Sequence, residues 1–91
     1  MDIPQKIKQL LIEIITEMAL VYEEKSLVVS ATKDRENGDW STNALFSLAK
    51  VNNVNIDDLG STMLGKINRD LSSYIEIQKV EIKNKGFINF Y

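Results

Sequence analysis

The last five residues contain the side chains best suited to recognising a partner. Phe87, Asn89 and Tyr91 alternate with Ile88 and Phe90, and alternation along a strand places the two sets on opposite faces. Ile88 and Phe90 share the apolar phase of the preceding strand, so we expect them to face the core. Phe87, Asn89 and Tyr91 are then expected on the face that a two-layer fold leaves open to solvent.

An outward ring beside an outward amide, under a basic loop, suits an unstacked nucleobase. Phe87 offers a stacking surface and Asn89 can read a base edge. Asn84 and Lys85 lie in the preceding Lys-Asn-Lys-Gly loop, where lysines can meet phosphate. Two structural interpretations stay open. The aromatic residues could reflect β propensity alone, or they could pack against a further segment of a longer protein.

The amino-acid composition excludes most kinds of catalytic site. The 91 residues include no cysteine and no histidine, which excludes disulfides, thiolate metal sites and nucleophiles that need a histidine base. The four glycines are scattered and form no phosphate-binding loop. The acidic pairs at 23–24 and 57–58 lie on predicted helices, where neighbours point about 100° apart and do not converge on one ion. We expect no catalytic, cofactor-binding or metal-binding residue in this chain.

Length and charge limit the classes of protein. A chain of 91 residues allows a single domain, residues 1–91, with one modest core. The net charge of −2 gives no general attraction to phosphate, although the segment from Lys79 onward is net positive. The apolar runs are too short for a membrane span, and no basic-then-apolar leader is visible. We expect a cytoplasmic protein without a membrane or DNA partner.

The hydrophobic periodicity predicts seven elements that position the last strand. Residues 4–24 have helical spacing, 27–32 form a strand, Asn37-Gly38 is a turn, and 39–41 return as a short strand. Helices follow over 44–51 and from Asp57 onward. The last two strands surround a hairpin loop at 83–86, and the slipped phase between Ile77 and Val80 predicts a bulge or a strand start near Gln78.

The order α-β-β-α-α-β-β predicts an α+β fold. Its two layers are an antiparallel four-stranded sheet and the helices on one face of it. Trp40 is expected between sheet and helices, and Ser41, Thr42 and Asn43 are expected as helix caps. The apolar face of the second helix is expected to contain Leu45, Phe46, Leu48 and Ala49.

Two stretches resemble a known family. Gly38-Asp39-Trp40-Ser41-Thr42-Asn43-Ala44 with Leu48-Ala49-Lys50 is similar to the "G-D-aromatic-x-x-N-A…L-A-K" segment of arginyl-tRNA synthetases. Val80-Glu81-Ile82 with Gly86-Phe87-Ile88-Asn89-Phe90 resembles the "V-E-I…G-F-I-N-F" strand pair that closes that family's N-terminal additional domain. Both stretches occur in the family's order, and the resemblance covers essentially the whole chain.

The resemblance implies a recognition function within a larger enzyme. In that family the domain is an appendage to a catalytic domain of the same polypeptide, which joins arginine to its tRNA with ATP and magnesium. The appendage docks on the outer corner of the tRNA and reads a base of the D-loop. The base-contacting positions fall on Phe87, Asn89 and Asn84; where the family uses a tyrosine or a longer amide, this chain has Phe87 and Asn89. The chain contains neither synthetase signature for ATP, so the resemblance implies a domain of a longer enzyme.

Two other functions remain as alternatives from the residues alone. Residues 44–67, two helices around an Asn-rich turn, could form a helix-turn-helix, but Asp57 and Asp58 would repel phosphate at the start of the second helix. The second alternative is a free-standing interaction module that self-associates through the edge of its terminal strand.

Overall fold

The computed structural model describes residues 2–91, which form three α-helices, four β-strands and three single 3₁₀ turns. The helices are α1 (Ile3–Glu17), α2 (Ala44–Asn52) and α3 (Ile56–Asp70), and the strands are β1 (Ser30–Ala31), β2 (Trp40–Thr42), β3 (Val80–Lys83) and β4 (Phe87–Phe90). The 3₁₀ turns are Glu24–Ser26, Arg35–Asn37 and Leu71–Ser73. This order confirms the predicted α+β class.

The four strands form one antiparallel sheet in the order β1-β2-β4-β3. In the centre, Trp40 lies opposite Phe90, and Thr42 lies opposite Ile88. On the other side of β4, Ile82 also lies opposite Ile88. The shared apolar phase that the sequence predicts for the last two strands is therefore confirmed.

The core lies between the helices and one face of this sheet. Ile88 and Phe90 are almost completely buried there, and Trp40 packs against the core while partly exposed, as expected. Burial of each large apolar side chain contributes roughly 1.5–3 kcal/mol to folding. The helices contribute Ile7, Leu10, Leu11, Ile14, Ile15, Leu45, Leu48, Leu59, Met63 and Ile67.

Helix α1 begins where the sequence predicts and ends earlier. The Asp2 side chain accepts a hydrogen bond from the Gln5 amide at 3.0 Å, and the Gln5 side chain accepts from the Asp2 amide at 3.3 Å, which is a capping box. The helix ends at Glu17 because Ala19 adopts a left-handed conformation with φ 55°. The Leu20 amide then donates to the Ile15 carbonyl, as in a Schellman motif.

The predicted extension of α1 to residue 24 is therefore wrong. Tyr22 lies beyond the helix but still packs against the core. The Asn52 side chain holds this segment on α2, since its amide oxygen accepts from the Val21 amide and its nitrogen donates to the Val21 carbonyl, both at 2.8 Å.

Two predicted strands are also shorter than expected. Residues 27–32 form a strand only at Ser30–Ala31, although Leu27 is buried. Ile75 lies in a turn with 88% of its surface exposed, and Ile77 is buried outside any strand. Strand β3 begins at Val80, so the slip in phase marks a strand start rather than a bulge. Leu27 and Ile77 therefore reach the core although neither residue lies in a paired strand.

The start of each later helix is capped in a different way. At α2 the Thr42 hydroxyl accepts from the Ala44 amide at 3.2 Å, whereas Asn43 makes no side-chain cap. At α3 the Asn55 side chain accepts from the Asp58 amide at 3.0 Å, and acidic residues in the first turn complement the helix dipole. The prediction of three caps before α2 is correct for Thr42 alone.

An ion-pair cluster joins the C-terminal halves of α1 and α3. The Glu17 carboxylate contacts the Lys66 ammonium at 2.5 Å and the Arg69 guanidinium at 2.8 Å. Hydrogen bonds from Arg69 and then Lys66 lower the pKa of Glu17 from 4.5 to about 2. The carboxylate stays charged in the folded protein at pH values that would protonate it in the unfolded chain.

We predict opposite effects for two glycines of α3. A methyl group added at Gly65 would meet no atom within 4 Å other than the local backbone of its own helix, so Gly65→Ala gains helix propensity and stabilises the fold by up to about 1 kcal/mol. At Gly60 a methyl group would lie 3.1 Å from the Ile82 side chain, so Gly60→Ala gains less or destabilises. Urea denaturation of both variants measures the difference, and equal effects would contradict the close packing at Gly60.

We predict that the stabilisation from Glu17 disappears in acid. A carboxyl whose pKa is lowered by folding stabilises the folded state above its unfolded pKa, and this contribution is lost as the pH falls. The difference in melting temperature between the parent and Glu17→Gln should be largest near neutral pH and should shrink between pH 4.5 and about 2. Glu13→Gln, on the exposed side of the same helix, is the control; an equal pH-dependent difference there would contradict this role.

Candidate nucleic-acid interface

The sheet face opposite the helices carries a polar row. Ser30 pairs with Ser41, Ser41 with Asn89, and Asn89 with Glu81. Because paired residues share a face and alternate with the core-facing residues of each strand, these four side chains lie across the sheet on its open face. The predicted phase of Asn89, opposite to Ile88 and Phe90, is therefore confirmed.

A cleft of about 610 Å³ lies over the part of this row formed by Ser30, Ser41 and Asn89. Ser41 and Asn89 lie in its floor, and Asn84 and Phe87 line it from the hairpin between β3 and β4. The opposite wall comes from residues 32–34 with Asn37. Three of the four predicted site residues thus line one cavity, while Lys85 does not.

The wall at residues 32–38 is a loop whose two ends are joined by hydrogen bonds. The Thr32 hydroxyl donates to the Gly38 carbonyl, and the Thr32 amide donates to the Asp39 carbonyl at 3.1 Å. Gly38 has φ 80°, and a methyl group there would lie 2.5 Å from the Phe90 carbonyl oxygen. Only glycine allows the loop to approach β4 this closely while adopting this conformation. The predicted turn at Asn37-Gly38 is therefore part of the cleft.

Two side chains from the end of the sheet bind this loop. The Tyr91 hydroxyl donates to the Glu36 carbonyl at 2.6 Å, and the Lys83 ammonium donates to the same oxygen at 2.5 Å. The Lys79 ammonium lies 4.4 Å from the centre of the Tyr91 ring. A hydrogen bond to the Tyr91 side chain raises the pKa of Lys83 above its ordinary value, so the Lys83 side chain stays protonated and positively charged. Tyr91 is half-buried in this structural role rather than free for a ligand.

Phe87 is the aromatic side chain that remains available in the cleft. Its exposed fraction is 37%. Its ring meets the Phe46 ring edge to face, with centroids 5.6 Å apart and planes at 78°. The expectation that Phe46 faces the core is wrong: the side chain is 46% exposed, because it lies beside Gly86 and Phe87 at the edge of the sheet. Edge-to-face packing fixes the orientation of Phe87 and leaves ring surface for stacking.

Asn89 faces the cleft but is nearly buried, with 2% of its surface exposed. The Ser41 hydroxyl donates to its Oδ1 atom at 2.7 Å. The expectation that Asn89 is open to solvent is therefore wrong, because the β2 side chain and the walls of the cleft enclose it. A ligand would meet this amide at the base of a cavity.

Asn84 and Lys85 form the tip of the hairpin. Both have left-handed backbones, with φ 51° and 68°, and the Gly86 amide donates to the Asn84 carbonyl at 2.8 Å. Asn84 turns into the cleft, whereas Lys85 is exposed outside it. Lys33 and Lys83 line the cleft with Asp34 as the single acidic residue, so its lining is net positive in a chain whose net charge is −2.

The sequence pattern does not reveal three parts of this site. It predicts Ser41 as a helix cap, Phe46 as a core residue, residue 32 as the end of a strand and Asn37-Gly38 as a turn. The polar pairing of Ser41 with Asn89 across two strands has no local signal, since 48 residues separate them. Gly38 is the one local signal, because a turn glycine that follows Asn is typical of a special backbone conformation.

Two further findings bear on the class of protein. Within residues 2–91 no group of three or more acidic side chains is placed to hold a metal ion. In the same range no helix combines the length and apolar character that crossing a bilayer requires.

The fold and the cleft define a class: a small α+β domain whose open sheet face carries a polar cleft edged by an aromatic ring. The chain belongs to the arginyl-tRNA synthetase N-terminal domain family, since the family described as "Arginyl tRNA synthetase N terminal domain" matches residues 3–91. The resemblance inferred from the two sequence stretches is confirmed.

Curated relatives agree with this family. An arginine–tRNA ligase of Staphylococcus carnosus is 35% identical over 95 residues, which cover 100% of this chain and 17% of the relative. One of Mesomycoplasma hyopneumoniae (strain 7448) is 31% identical over 87 residues, covering 96% of this chain and 15% of the relative. The chain therefore spans about a sixth of the length of these relatives. No solved structure matches it significantly.

We predict that Tyr91 keeps the loop wall in place. Tyr91→Phe removes the hydrogen bond to the Glu36 carbonyl and should increase amide hydrogen exchange in residues 33–38 several-fold, because local opening becomes easier. Tyr22→Phe is the control, since Tyr22 packs against the core and is not the donor to the Glu36 carbonyl. Unchanged exchange in the loop of Tyr91→Phe would show that other contacts hold it.

Proposed function

We propose that this chain is the tRNA-binding domain of an arginine–tRNA ligase and that its cleft receives an unstacked base from the D-loop corner of the tRNA. The observation that carries the proposal is the convergence of Phe87, Asn89 and Asn84 on one cleft in a member of this family. By the resemblance of the terminal strand pair to this family, the family's base-contacting positions would fall on these residues.

The ring of Phe87 supports stacking. It is partly exposed, held from one side by Phe46 and placed at the rim of the cavity. Unpaired loop bases expose π faces that stack on such rings, whereas bases inside a helix do not. A stacked base would project its edge toward the floor of the cleft, where Asn89 lies.

Amides supply the polar contacts to that edge. Asn89 is nearly buried at the floor, and Asn84 reaches the cavity from the hairpin tip. A side-chain amide in a dry site discriminates well, because a base that leaves it unpaired incurs a desolvation cost of about 1–3 kcal/mol. The cleft therefore suits recognition of one base more than general attraction to RNA.

Phosphate contacts come from lysines around the cleft. Lys33 lines one wall, and Lys85 is exposed at the hairpin tip outside it. The net charge of −2 opposes general attraction to RNA. The isolated domain should therefore bind weakly, with the catalytic domain of the same polypeptide supplying the remaining contacts.

The reaction itself is assigned to the rest of the polypeptide. The ligase would join arginine to its tRNA with ATP and magnesium. The described residues do not fit these cofactors, because the glycines form no phosphate loop and residues 2–91 hold no acidic cluster for a metal. This domain would contribute recognition of the tRNA.

The structure gives no support to the helix-turn-helix alternative. Asp57 and Asp58 are exposed in the first turn of α3, where a recognition helix would approach phosphates. The opposite face of α3 is buried against the core through Leu59, Met63 and Ile67.

We predict that Phe87→Ala weakens binding to arginine tRNA. Loss of one stacked base corresponds to about 1–3 kcal/mol, which is a rise in Kd of roughly 5- to 150-fold. The test is an NMR titration of the labelled 91-residue chain with arginine tRNA and with a second tRNA for comparison. Chemical shift changes should concentrate at Asn84, Phe87 and Asn89.

Ile75→Ala is the control for this experiment. Ile75 is an apolar residue that is more exposed than Phe87 and lies outside the cleft, so this variant should bind as the parent does. Equal affinity of Phe87→Ala and the parent would contradict the assignment of the cleft, and shifts centred on residues 57–67 would favour the helix-turn-helix instead.

A further inference from the structure

The loop wall of the cleft contains Asn37-Gly38, which is the one Asn-Gly pair in the sequence. Asparagine is among the chemically least durable residues of proteins, and a following glycine has no side chain to hinder attack on the asparagine amide. Asn37 is exposed and lines the cleft, whereas Gly38 is buried against β4. The pair therefore combines a side chain that water reaches with a main-chain nitrogen that the fold holds in place.

The reaction open to such a pair is deamidation, which consumes water and changes no oxidation state. Hydroxide removes the amide proton of Gly38, and the nitrogen attacks the side-chain carbonyl carbon (Cγ) of Asn37. A new C–N bond closes a cyclic imide while the C–N bond to the side-chain amino group breaks, and ammonia leaves. Water then opens the imide at either of its carbonyl groups, which gives aspartate or isoaspartate at position 37.

The observed loop directs the Gly38 nitrogen away from that carbon. Its N–H group donates to the Arg35 carbonyl at 3.0 Å and closes the 3₁₀ turn Arg35–Asn37. Once the proton is lost, the electron pair on the nitrogen points where the N–H bond pointed, toward the Arg35 oxygen. Attack on Asn37 therefore requires rotation of the peptide group between residues 37 and 38, and this rotation breaks the hydrogen bond of the turn.

Contacts on both sides of this peptide group oppose its rotation. The Asp39 amide, which follows Gly38, donates to the Phe90 carbonyl at 2.8 Å. On the other side, the Glu36 carbonyl accepts from the Tyr91 hydroxyl at 2.6 Å. Because the loop must open before the reaction starts, the population of the open loop sets the reaction rate.

We propose that Asn37 is a site of spontaneous deamidation that the loop at 32–38 suppresses in this conformation, and that each opening of the loop exposes it to the reaction. Lys33, Lys83 and Asp34 are the charged residues that line the cleft, so a second acidic group removes its net positive charge. Isoaspartate also adds one carbon to the main chain of the loop. The cleft then attracts phosphate less strongly, and this consequence rests on the function proposed above.

The experiment follows deamidation of Asn37 in the 91-residue chain without RNA. Incubation in water enriched in heavy oxygen labels the new carboxylate, and mass spectrometry of proteolytic fragments locates the label. A synthetic peptide of residues 33–41, which has no partner strand, gives the rate of the unprotected pair. Asn37→Gln is the control for the chemistry, because its longer side chain would have to close a larger and less favourable ring.

We expect the folded chain to react about tenfold or more slowly than the peptide, since opening of the loop breaks several hydrogen bonds. Tyr91→Phe removes the bond to the Glu36 carbonyl and should speed the reaction several-fold. Hydrogen exchange of the Gly38 amide requires the same opening, so it should rise by the same factor. Thr32→Val removes the bond to the Gly38 carbonyl and opens the loop independently. Circular dichroism melting checks that both variants stay folded.

Asn84 is the internal control, because it is exposed at the hairpin tip and its neighbour Lys85 has a side chain that hinders attack. Its slower reaction should be the same in all folded chains. Three outcomes would overturn the proposal: the folded parent reacts at Asn37 as fast as the peptide, the peptide reacts no faster than Asn84 in the chain, or exchange of Gly38 rises in a loop variant while deamidation does not.

Binding of tRNA is measured separately with Asn37→Asp, which carries the charge of the product. Compared with the uncharged variant Asn37→Ser, its Kd for arginine tRNA and for a second tRNA should rise several-fold at low salt and converge at high salt. Equal Kd values at low salt would contradict the effect on phosphate attraction. If Asn37 is labelled as expected and the parent chain does not bind arginine tRNA, the proposed function is wrong and the modification site stands. If the chain binds and Asn37 takes up no label, the modification site is wrong and the function stands.

Discussion

The antiparallel pairing of β2 with β4 is the constraint on which the rest of this structure depends. It joins the middle of the chain to its end, since Trp40 lies opposite Phe90 and Ser41 opposite Asn89. On one face the pairing completes the core, where Ile88 and Phe90 are buried beneath the helices. On the other face it brings together Ser41 and Asn89, which form the floor of the cleft. A shift of register by one residue would exchange the two faces, so the core and the cleft are specified by the same set of hydrogen bonds.

The two faces of the sheet satisfy different physical requirements. The core face is apolar, and its contribution to stability follows from buried area. The open face carries a polar row in which Asn89 is nearly buried at the floor of the cleft, where a polar group without a partner is costly. The loop at 32–38 supplies the far wall of the cleft, held by Thr32 from within and by Tyr91 and Lys83 from the sheet. The chain belongs to the arginyl-tRNA synthetase N-terminal domain family, and recognition of a single unpaired base by this arrangement is the function that we propose.

The sequence predicts the architecture better than the environment of individual residues. Element order, the strand phase of Val80, Ile82, Ile88 and Phe90, and the face of Asn89 all follow from local periodicity, which a short strand or helix expresses by itself. The end of α1 does not, because Ala19 takes a left-handed conformation that alanine rarely adopts. Burial of Asn89 and exposure of Phe46 depend on contacts between residues about 40 or more positions apart. The same is true of the position of the loop wall, since Gly38 is close to Phe90 only after the sheet has formed.

The packing of Phe46 against Phe87 has an entropic consequence. A surface aromatic ring that moves freely must lose rotamer freedom when a base stacks on it, and this loss subtracts about 0.5–1.5 kcal/mol from binding. Here the edge of Phe46 restricts Phe87 before any ligand arrives, so much of that ordering is completed during folding. Gly86 makes the arrangement possible, because a methyl group there would overlap the Phe46 ring. Helix α2 thereby preorganises the ring that we propose as a stacking surface, although that ring comes from a strand about 40 positions later in the sequence.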